Sequence, residues 1–256
     1  MKSLLLATVL ALMLVSSAAA SNLYIGNDTS SPVTVYTSAG VFVQNFGQTG
    51  ATGSAINAAG DVWTVAPNFG NNNVVEYSPS QAVLNSFIAT VNGQWIEDMS
   101  HGLGNTLYAS TFEGSVFALN DQSGAILSSF VVSSPTSYTG VAFDGTNLWV
   151  SAGLSGQALY EYTTSGTLLQ TLSLPFTCGG VGFDVSDGTL WCGDFGQVHH
   201  LTTNGTVLGG FTTSATNYHD GLETPNLVSG TTPEPASLLL VGTGLAGLFT
   251  RLRKRS

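Results

Sequence analysis

Residues 140–149 read Gly-Val-Ala-Phe-Asp-Gly-Thr-Asn-Leu-Trp, and residues 180–191 repeat the pattern as Gly-Val-Gly-Phe-Asp-Val-Ser-Asp-Gly-Thr-Leu-Trp. In both copies a short apolar strand leads into an aliphatic residue followed by an aromatic one. Alternation of this kind over a few residues predicts β-strands rather than helices. The repetition predicts a fold built from similar β units.

The aliphatic–aromatic pair recurs along the chain and marks the units. Its members are Leu23-Tyr24, Val62-Trp63, Leu107-Tyr108, Leu148-Trp149 and Leu190-Trp191. Successive aromatic residues are 39, 45, 41 and 42 positions apart. Spacings of about 40–45 residues between short strands are typical of propeller blades of four strands each.

The rest of each unit supports this interpretation. A second alternating strand follows the pair, as at 115–119 and 158–162, and then a turn that ends in glycine, such as Gly124. Glycine suits hairpin turns that need a positive φ. Residues 21–230 show no sustained helical period, so the sequence predicts an all-β domain.

The order of the units predicts how the ring closes. The mature chain starts on a strand of the Leu23-Tyr24 type, and residues 219–223 fall where an inner strand lies in the other units. The C-terminus can therefore supply the inner strand that the first unit lacks, which gives five four-stranded blades without a free inner edge. The pattern is similar to NHL and lactonase-like propellers, which usually have six or more blades. A six-bladed-like propeller and a β-sandwich are the alternatives.

The N-terminal twenty residues have the composition of a secretory signal. Lys2 is followed by the apolar run 4–15 and by three alanines at 18–20, which suit cleavage before Ser21. An uncleaved N-terminal anchor is the alternative.

The C-terminus has the features of a second targeting signal. Pro233-Glu234-Pro235 precedes an apolar run at 236–250, and a basic cluster follows that contains Arg251, Arg253, Lys254 and Arg255. As a helix the run would be roughly 22 Å long, shorter than the ~30 Å hydrocarbon core of a bilayer. The basic cluster predicts a cytoplasmic end and an exported domain before it.

This order closely resembles the PEP-CTERM sorting signal of Gram-negative bacteria. The resemblance implies a short membrane helix, recognition by an exosortase-type membrane protease at the inner membrane, and export to the cell surface or biofilm matrix. A plain tail anchor is the alternative. The expected domains are a signal peptide at 1–20, a propeller at 21–230 and a sorting signal at 231–256.

The propeller region contains no cation. All five Lys and Arg residues lie outside 21–230, which holds 14 of the 15 Asp and Glu residues. Nucleic-acid binding is excluded as a function because it needs Lys or Arg to displace counterions from phosphate. A buried carboxyl must be satisfied by hydroxyl or N–H groups or by a cation, and calcium is the natural candidate for such a cation outside the cytoplasm. The alternative is that the acids only make the surface soluble.

The candidate ligand or metal residues are those expected at one mouth of the propeller channel. Alignment on the repeated pairs places Glu97, Asp98, His219 and Asp220 near the starts of inner strands. Lactonase-type propellers use a comparable arrangement, but their full ligand set is missing here. The alternative is that these acids cap strand ends and face water.

Two further features concern stability and ligands. Cys178 and Cys192 lie on neighbouring predicted strands, so they form a candidate disulfide, with free buried thiols as the alternative. Trp95, Phe112 and Tyr138 are near loops, where aromatic rings can stack on sugars or belong to the core.

The sequence supplies no catalytic residue set. We therefore expect an exported binding or scaffold protein of the surface or matrix, whose partners are an extracellular polysaccharide or other surface proteins. The alternative is a metal-dependent lactonase-like hydrolase or lyase that works at the channel mouth.

Overall fold

The computed structural model describes residues 22–27, 31–68, 70–132, 140–153, 156–214 and 218–225. Within these ranges the chain forms twenty strands in five antiparallel sheets of four strands. The three N-terminal strands are β1 (Asn22–Ile25), β2 (Val33–Thr37) and β3 (Phe42–Phe46).

Four complete blades follow in chain order. The first blade contains β4 (Gly53–Ile56), β5 (Val62–Ala66), β6 (Asn72–Tyr77) and β7 (Val83–Ala89). The second contains β8 (Ile96–His101), β9 (Thr106–Thr111), β10 (Ser115–Asn120) and β11 (Ile126–Val131). The third contains β12 (Val141–Phe143), β13 (Asn147–Ser151), β14 (Ala158–Thr163) and β15 (Leu168–Ser173). The fourth contains β16 (Val181–Asp184), β17 (Thr189–Gly193), β18 (Gln197–Thr202) and β19 (Val207–Thr212).

The last strand, β20 (Leu222–Glu223), closes the ring. It pairs antiparallel with β1, in the register Tyr24↔Glu223 and Ile25↔Leu222, and completes the closing blade in the order β20-β1-β2-β3. The inner strands β4, β8, β12, β16 and β20 contact one another in a circle. The prediction of a five-bladed propeller closed by the two ends of the domain is confirmed, and the sandwich and six-bladed alternatives are wrong.

The strand directions define two faces of the disc. Inner strands begin on what we call the upper face and end on the lower face. Since each blade is antiparallel, outer strands (β3, β7, β11, β15 and β19) begin on the lower face and end on the upper one.

The core lies between blades rather than inside them. Among the described residues, each of the five blade–blade boundaries holds one hydrophobic cluster. The aromatic residues of the repeated pairs lie on the second strand of each blade, and Trp63, Trp149 and Trp191 are buried. One face of a blade is thus covered only by its neighbour, which explains why the repeat must close into a ring.

The hairpins at the outer strands share one design. In all five blades the register between the third and outer strands shifts by a β-bulge next to the turn. At Gly124 the turn residue has φ of 69°, and an added Cβ would lie 2.5 Å from the ring of Phe87 in the preceding blade. Glycine is therefore needed there for both conformation and space.

The predicted signal peptide, membrane helix and basic tail lie outside the described residues. In the part of the chain that the structure describes, no helix is long and apolar enough to span a membrane.

Candidate functional site

The axis of the propeller is occupied by the carboxyl group of Asp98, which is fully buried on β8. Its Oδ1 accepts hydrogen bonds from the backbone N–H of Met99 at 2.8 Å and of Ser54 at 3.4 Å. Its Oδ2 accepts from the N–H of Val141 at 3.2 Å and of Leu222 at 3.4 Å. One side chain thereby connects the inner strands of four blades.

Two glycines let the backbones approach this carboxyl. An added Cβ on Gly53 would lie 2.8 Å from Oδ1 of Asp98, and one on Gly221 would lie 2.5 Å from the same atom. Both distances are too short for real contacts, so glycine is required where β4 and β20 begin. The narrow axis of a five-bladed ring explains this crowding.

A second carboxyl group lies below Asp98 along the axis. Glu223 is 1% exposed, its Oε1 accepts the N–H of Thr224 at 3.0 Å, and its side chain is hydrogen-bonded to Ser100. The Ser100 hydroxyl also accepts the N–H of Phe143 at 3.0 Å. The channel is thus filled by side chains from the second and closing blades.

The two axial carboxyl groups hold protons more tightly than usual. Burial, and then the neighbouring Glu223, raises the pKa of Asp98 well above its ordinary value, although hydrogen bonds from backbone N–H groups act in the opposite direction. Burial also raises the pKa of Glu223 well above its ordinary value. A pair without any Lys or Arg nearby is expected to avoid double ionisation in this way.

His219 lies at the boundary between the fourth and closing blades. Its Nδ1 donates to Oδ1 of Asn27 at 3.0 Å, so its Nε2 accepts from the hydroxyl of Thr213 at 3.1 Å. Burial lowers the pKa of His219 to about 4. Its carbonyl oxygen accepts the N–H of Gly180 at 2.6 Å. Both ring nitrogens of this fully buried histidine are therefore engaged inside the protein.

Glu97 lies apart from the axis, in a groove on the upper face. It is the extra residue of a β-bulge in β8, because Ile96 pairs with Thr111 while Asp98 pairs with Ser110. Among the inner strands that the structure describes, this bulge is found in β8 alone. A bulge redirects the side chain at its position and is common beside functional sites.

The groove has a volume of about 380 Å³ and combines aromatic and acidic side chains. Its lining consists of Gly93, Trp95, Glu97, Phe112 and Glu113. Phe112 is 45% exposed, Trp95 is half-buried, and Glu97 is 8% exposed. The groove thus offers aromatic faces and carboxylate acceptors, with no cation to bind an anion.

The loop that forms one wall of the groove is held firmly. Asn72 donates from Nδ2 to the carbonyls of Ala89 and Gln94 and accepts the N–H of Ile96 on Oδ1, all at 3.0–3.1 Å. The hydroxyl of Thr111 donates to the side chain of Gln94 at 2.7 Å.

The opposite wall of the groove is bonded to the same loop. The N–H of Trp95 donates to Glu113 at 3.1 Å, and the N–H of Phe112 donates to the carbonyl of Trp95 at 3.0 Å. The site is therefore shaped before any ligand arrives.

The four candidate residues do not share a ligand set. Asp98 uses both oxygens on backbone N–H groups, His219 uses both nitrogens, and Asp220 is buried where β20 begins. In the described ranges no group of three or more His, Cys, Asp or Glu side chains is placed to hold a metal ion. The donors do not fit a calcium ion held jointly by Glu97, Asp98, His219 and Asp220.

The two cysteines lie beside β16 and on β17. Cys178 and Cys192 form a disulfide with a Cα–Cα distance of 5.4 Å, fully buried between the third and fourth blades. Cys178 also lies in an isolated bridge to Gly153 of the third blade. The disulfide therefore links a connecting segment to the fourth blade near the axis.

Sequence reasoning overlooked two features of the site. Glu223 was recognised only as part of an inner strand, although its position next to the axis follows from that register. The groove was not predicted as a unit, although Trp95 and Phe112 were singled out. Tyr138 lies outside the described residues.

The fold and the C-terminus together define the class of protein, a five-bladed β-propeller with a protein-sorting segment after its closing strand. Residues 231–254 match the family model described as the PEP-CTERM protein-sorting motif. The motif implies processing by an exosortase-type membrane enzyme and delivery of the protein to the cell surface.

Among solved structures, the chain is similar to a crystal structure of a protein of unknown function from Bacteroides caccae. The TM-score is 0.49 and the identity 13%, over 75% of this chain and 73% of the other. No curated protein matches the chain.

Proposed function

We propose that the propeller is a surface binding protein that holds a neutral or amino-sugar polysaccharide in the groove of Trp95, Glu97, Phe112 and Glu113. The observation that carries the proposal is the bulged Glu97 placed beside an exposed aromatic ring. Aromatic rings stack on the apolar faces of sugars, and carboxylates accept hydrogen bonds from hydroxyl or ammonium groups.

The charge of the domain narrows the class of ligand. Residues 21–230 contain 14 acids and no Lys or Arg, so uronic acids, sulfated sugars and phosphates meet repulsion without a compensating cation. Neutral glycans avoid this repulsion, and amino sugars gain attraction from Glu97 and Glu113. Delivery to the surface or matrix of a Gram-negative cell would bring the groove into contact with such polymers.

A role in binding rather than catalysis is favoured by the state of the buried groups. Asp98 and His219 are fully engaged in internal hydrogen bonds, which gives them a structural role. Glu97 lies on β8 and Glu113 in the turn between β9 and β10, and the two acids flank aromatic rings, as expected of a binding surface. The proposal does not depend on a metal ion.

The test is a calorimetric titration of the protein with three hexasaccharides: a glucosamine oligomer, a cello-oligomer and an alginate oligomer. We expect binding of the first two and none of the third. Phe112→Ala should weaken binding by about two- to tenfold, because the stacking of one aromatic ring is worth roughly 0.5–1.5 kcal/mol. Glu97→Gln should weaken binding of the glucosamine oligomer more than binding of the cello-oligomer.

The control is Phe195→Ala, which removes a ring that is 58% exposed on the same face of the fourth blade. This variant should bind as the unchanged protein does. Preferential binding of alginate would contradict the groove as the binding site. An equal loss of affinity in the Phe195 and Phe112 variants would contradict it as well. Turnover of any glycan that is lost in Glu97→Ala would show an enzyme instead.

A further inference from the structure

The lower rim of the disc carries an apolar pair of residues at the start of every outer strand. Each pair comes directly after the turn between the third and outer strands, and its members are 42–62% exposed. The pairs are Val41-Phe42, Val83-Leu84, Ile126-Leu127, Leu168-Leu169 and Val207-Leu208. Ten large apolar side chains thus form a ring around one face, which we call the lower ring.

Exposed apolar side chains scattered over a surface are ordinary, but a regular set on one rim is different. The outer strands that begin at these pairs contain no charged residue. Selection for solubility alone would be expected to place charges on such edge strands, since charges prevent edge-to-edge pairing. The lower ring is therefore a candidate contact surface.

The last described strand runs towards the same face. β20 runs in the direction of the lower face and ends at the buried Glu223, and the sorting motif starts at residue 231. The seven intervening residues span at most roughly 25 Å when fully extended. The chain thus runs towards the lower face only seven residues before the motif that is processed at the membrane.

We infer that the lower ring rests on the phospholipid surface while the sorting segment is still attached, so that the upper face with its groove points away from the membrane. The occupant is a bilayer because β20 runs towards this face and the motif that follows it is processed at a membrane. The absence of Lys and Arg between residues 21 and 230 predicts contact through apolar side chains and a preference for zwitterionic over anionic lipid.

The test uses the full chain in phosphatidylcholine vesicles that contain a trace of a phospholipid with a photoreactive group in its headgroup region. After illumination, crosslinked peptides are mapped by mass spectrometry. We expect crosslinks at the lower ring and none at the upper-face turns near Phe112 and Phe195. Replacing part of the phosphatidylcholine by phosphatidylglycerol should reduce the lower-ring crosslinks.

The variant combines Val83→Ser, Leu84→Ser, Ile126→Ser and Leu127→Ser, which removes two neighbouring pairs. Crosslinks to these two blades should fall by at least about fivefold, since the apolar area that meets the lipid is lost. The control combines Val131→Ser and Phe195→Ser, which are 76% and 58% exposed and lie towards the upper face. It should leave the crosslinks unchanged.

Crosslinks spread evenly over both faces, or found mainly on the upper face, would overturn the inference. So would crosslinks that join two copies of the chain through the outer strands in place of lipid, since they would make the lower ring a self-association surface. The map of the unchanged protein decides these outcomes even if the fourfold variant fails to fold. Glycan binding is measured separately, so either proposal can fail alone.

Discussion

The buried carboxyl group of Asp98 offers the sharpest test of how the ring is held together. Asp98→Ala leaves the N–H groups of Ser54, Met99, Val141 and Leu222 without this acceptor. A buried donor without a partner costs about 1–3 kcal/mol, and the two bonds at 3.4 Å belong at the lower end of that range.

The sum for the four donors is about 4–8 kcal/mol, from which the cost of burying the carboxyl group, absent in the variant, must be subtracted. We expect a net loss of about 3–6 kcal/mol in the free energy of unfolding. This is a large part of the 5–15 kcal/mol that is typical of a folded domain, so the variant should unfold at a clearly lower urea concentration.

The assay is urea denaturation followed by the fluorescence of the buried tryptophans. Asp98→Asn keeps the shape of the side chain, but its amide N–H₂ then faces two backbone N–H donors. We therefore expect an intermediate loss of about 2–4 kcal/mol in the free energy of unfolding. Ser54→Ala is the matched control, because the buried Oγ of Ser54 has no hydrogen-bond partner. The control should change stability by less than about 1 kcal/mol. An Asp98→Ala protein as stable as this control would refute the reasoning.

Four further outcomes are expected. As the pH falls from 6.5 to 4, the unfolded chain gains a proton at His219 that the folded chain excludes, so the free energy of unfolding should fall by about 3 kcal/mol. In His219→Gln this acid-side slope should flatten, and an unchanged slope would contradict the assignment. The raised pKa values of Asp98 and Glu223 act on the alkaline side. Their contribution to the free energy of unfolding is fully present below the ordinary carboxyl pKa and is lost as the pH rises through the raised pKa values. Urea midpoints measured between pH 5 and 9 can follow this loss. Reduction of the Cys178–Cys192 disulfide, whose partners are 14 residues apart, should lower stability by roughly 3 kcal/mol, and equal midpoints with and without reductant would argue against a contribution from the bond. Trypsin should leave residues 21–230 uncut even in urea, because they contain no Lys or Arg, and loss of the intact domain band in gel electrophoresis would contradict this.

The architecture could be predicted from the sequence because the fold repeats its signals. Each aliphatic–aromatic pair lies on the second strand of a blade, where its aromatic residue packs at a blade boundary. The phase of the repeat also indicated the closing strand. Only residues near 219–223 were left to supply the inner strand of the blade that contains Leu23-Tyr24. Both inferences rest on apolar periodicity, which a sequence displays directly.

The roles of the candidate residues could not be predicted in the same way. Alignment brought Asp98 and His219 to strand starts near the axis, but it did not show that their polar atoms are satisfied internally. The partners of Asp98 are backbone N–H groups, which every non-proline residue carries, so no side-chain pattern marks them.

The position of Glu97 depends on a bulge, and the sequence holds only an indirect sign of it. The unit that contains this bulge has the longest spacing between aromatic residues, 45 positions from Trp63 to Tyr108. Added length can be absorbed in a loop or in a strand, and only the strand pairing shows that one residue is absorbed next to Asp98. With this bulge, the side chain of Glu97 lies in the groove and the side chain of Asp98 lies at the buried axis.

The most direct measurement is amide hydrogen exchange at the N–H groups of Leu222 and Val141, followed by NMR. If the axial carboxyl bonds them and the two-residue β20 closes the ring, both amides should exchange only through global unfolding and belong to the slowest class in the protein. The N–H of Asn204, an exposed residue in the turn between β18 and β19, serves as the fast reference within the same sample. Exchange at Leu222 as rapid as at Asn204 would contradict a ring that is locked at its axis.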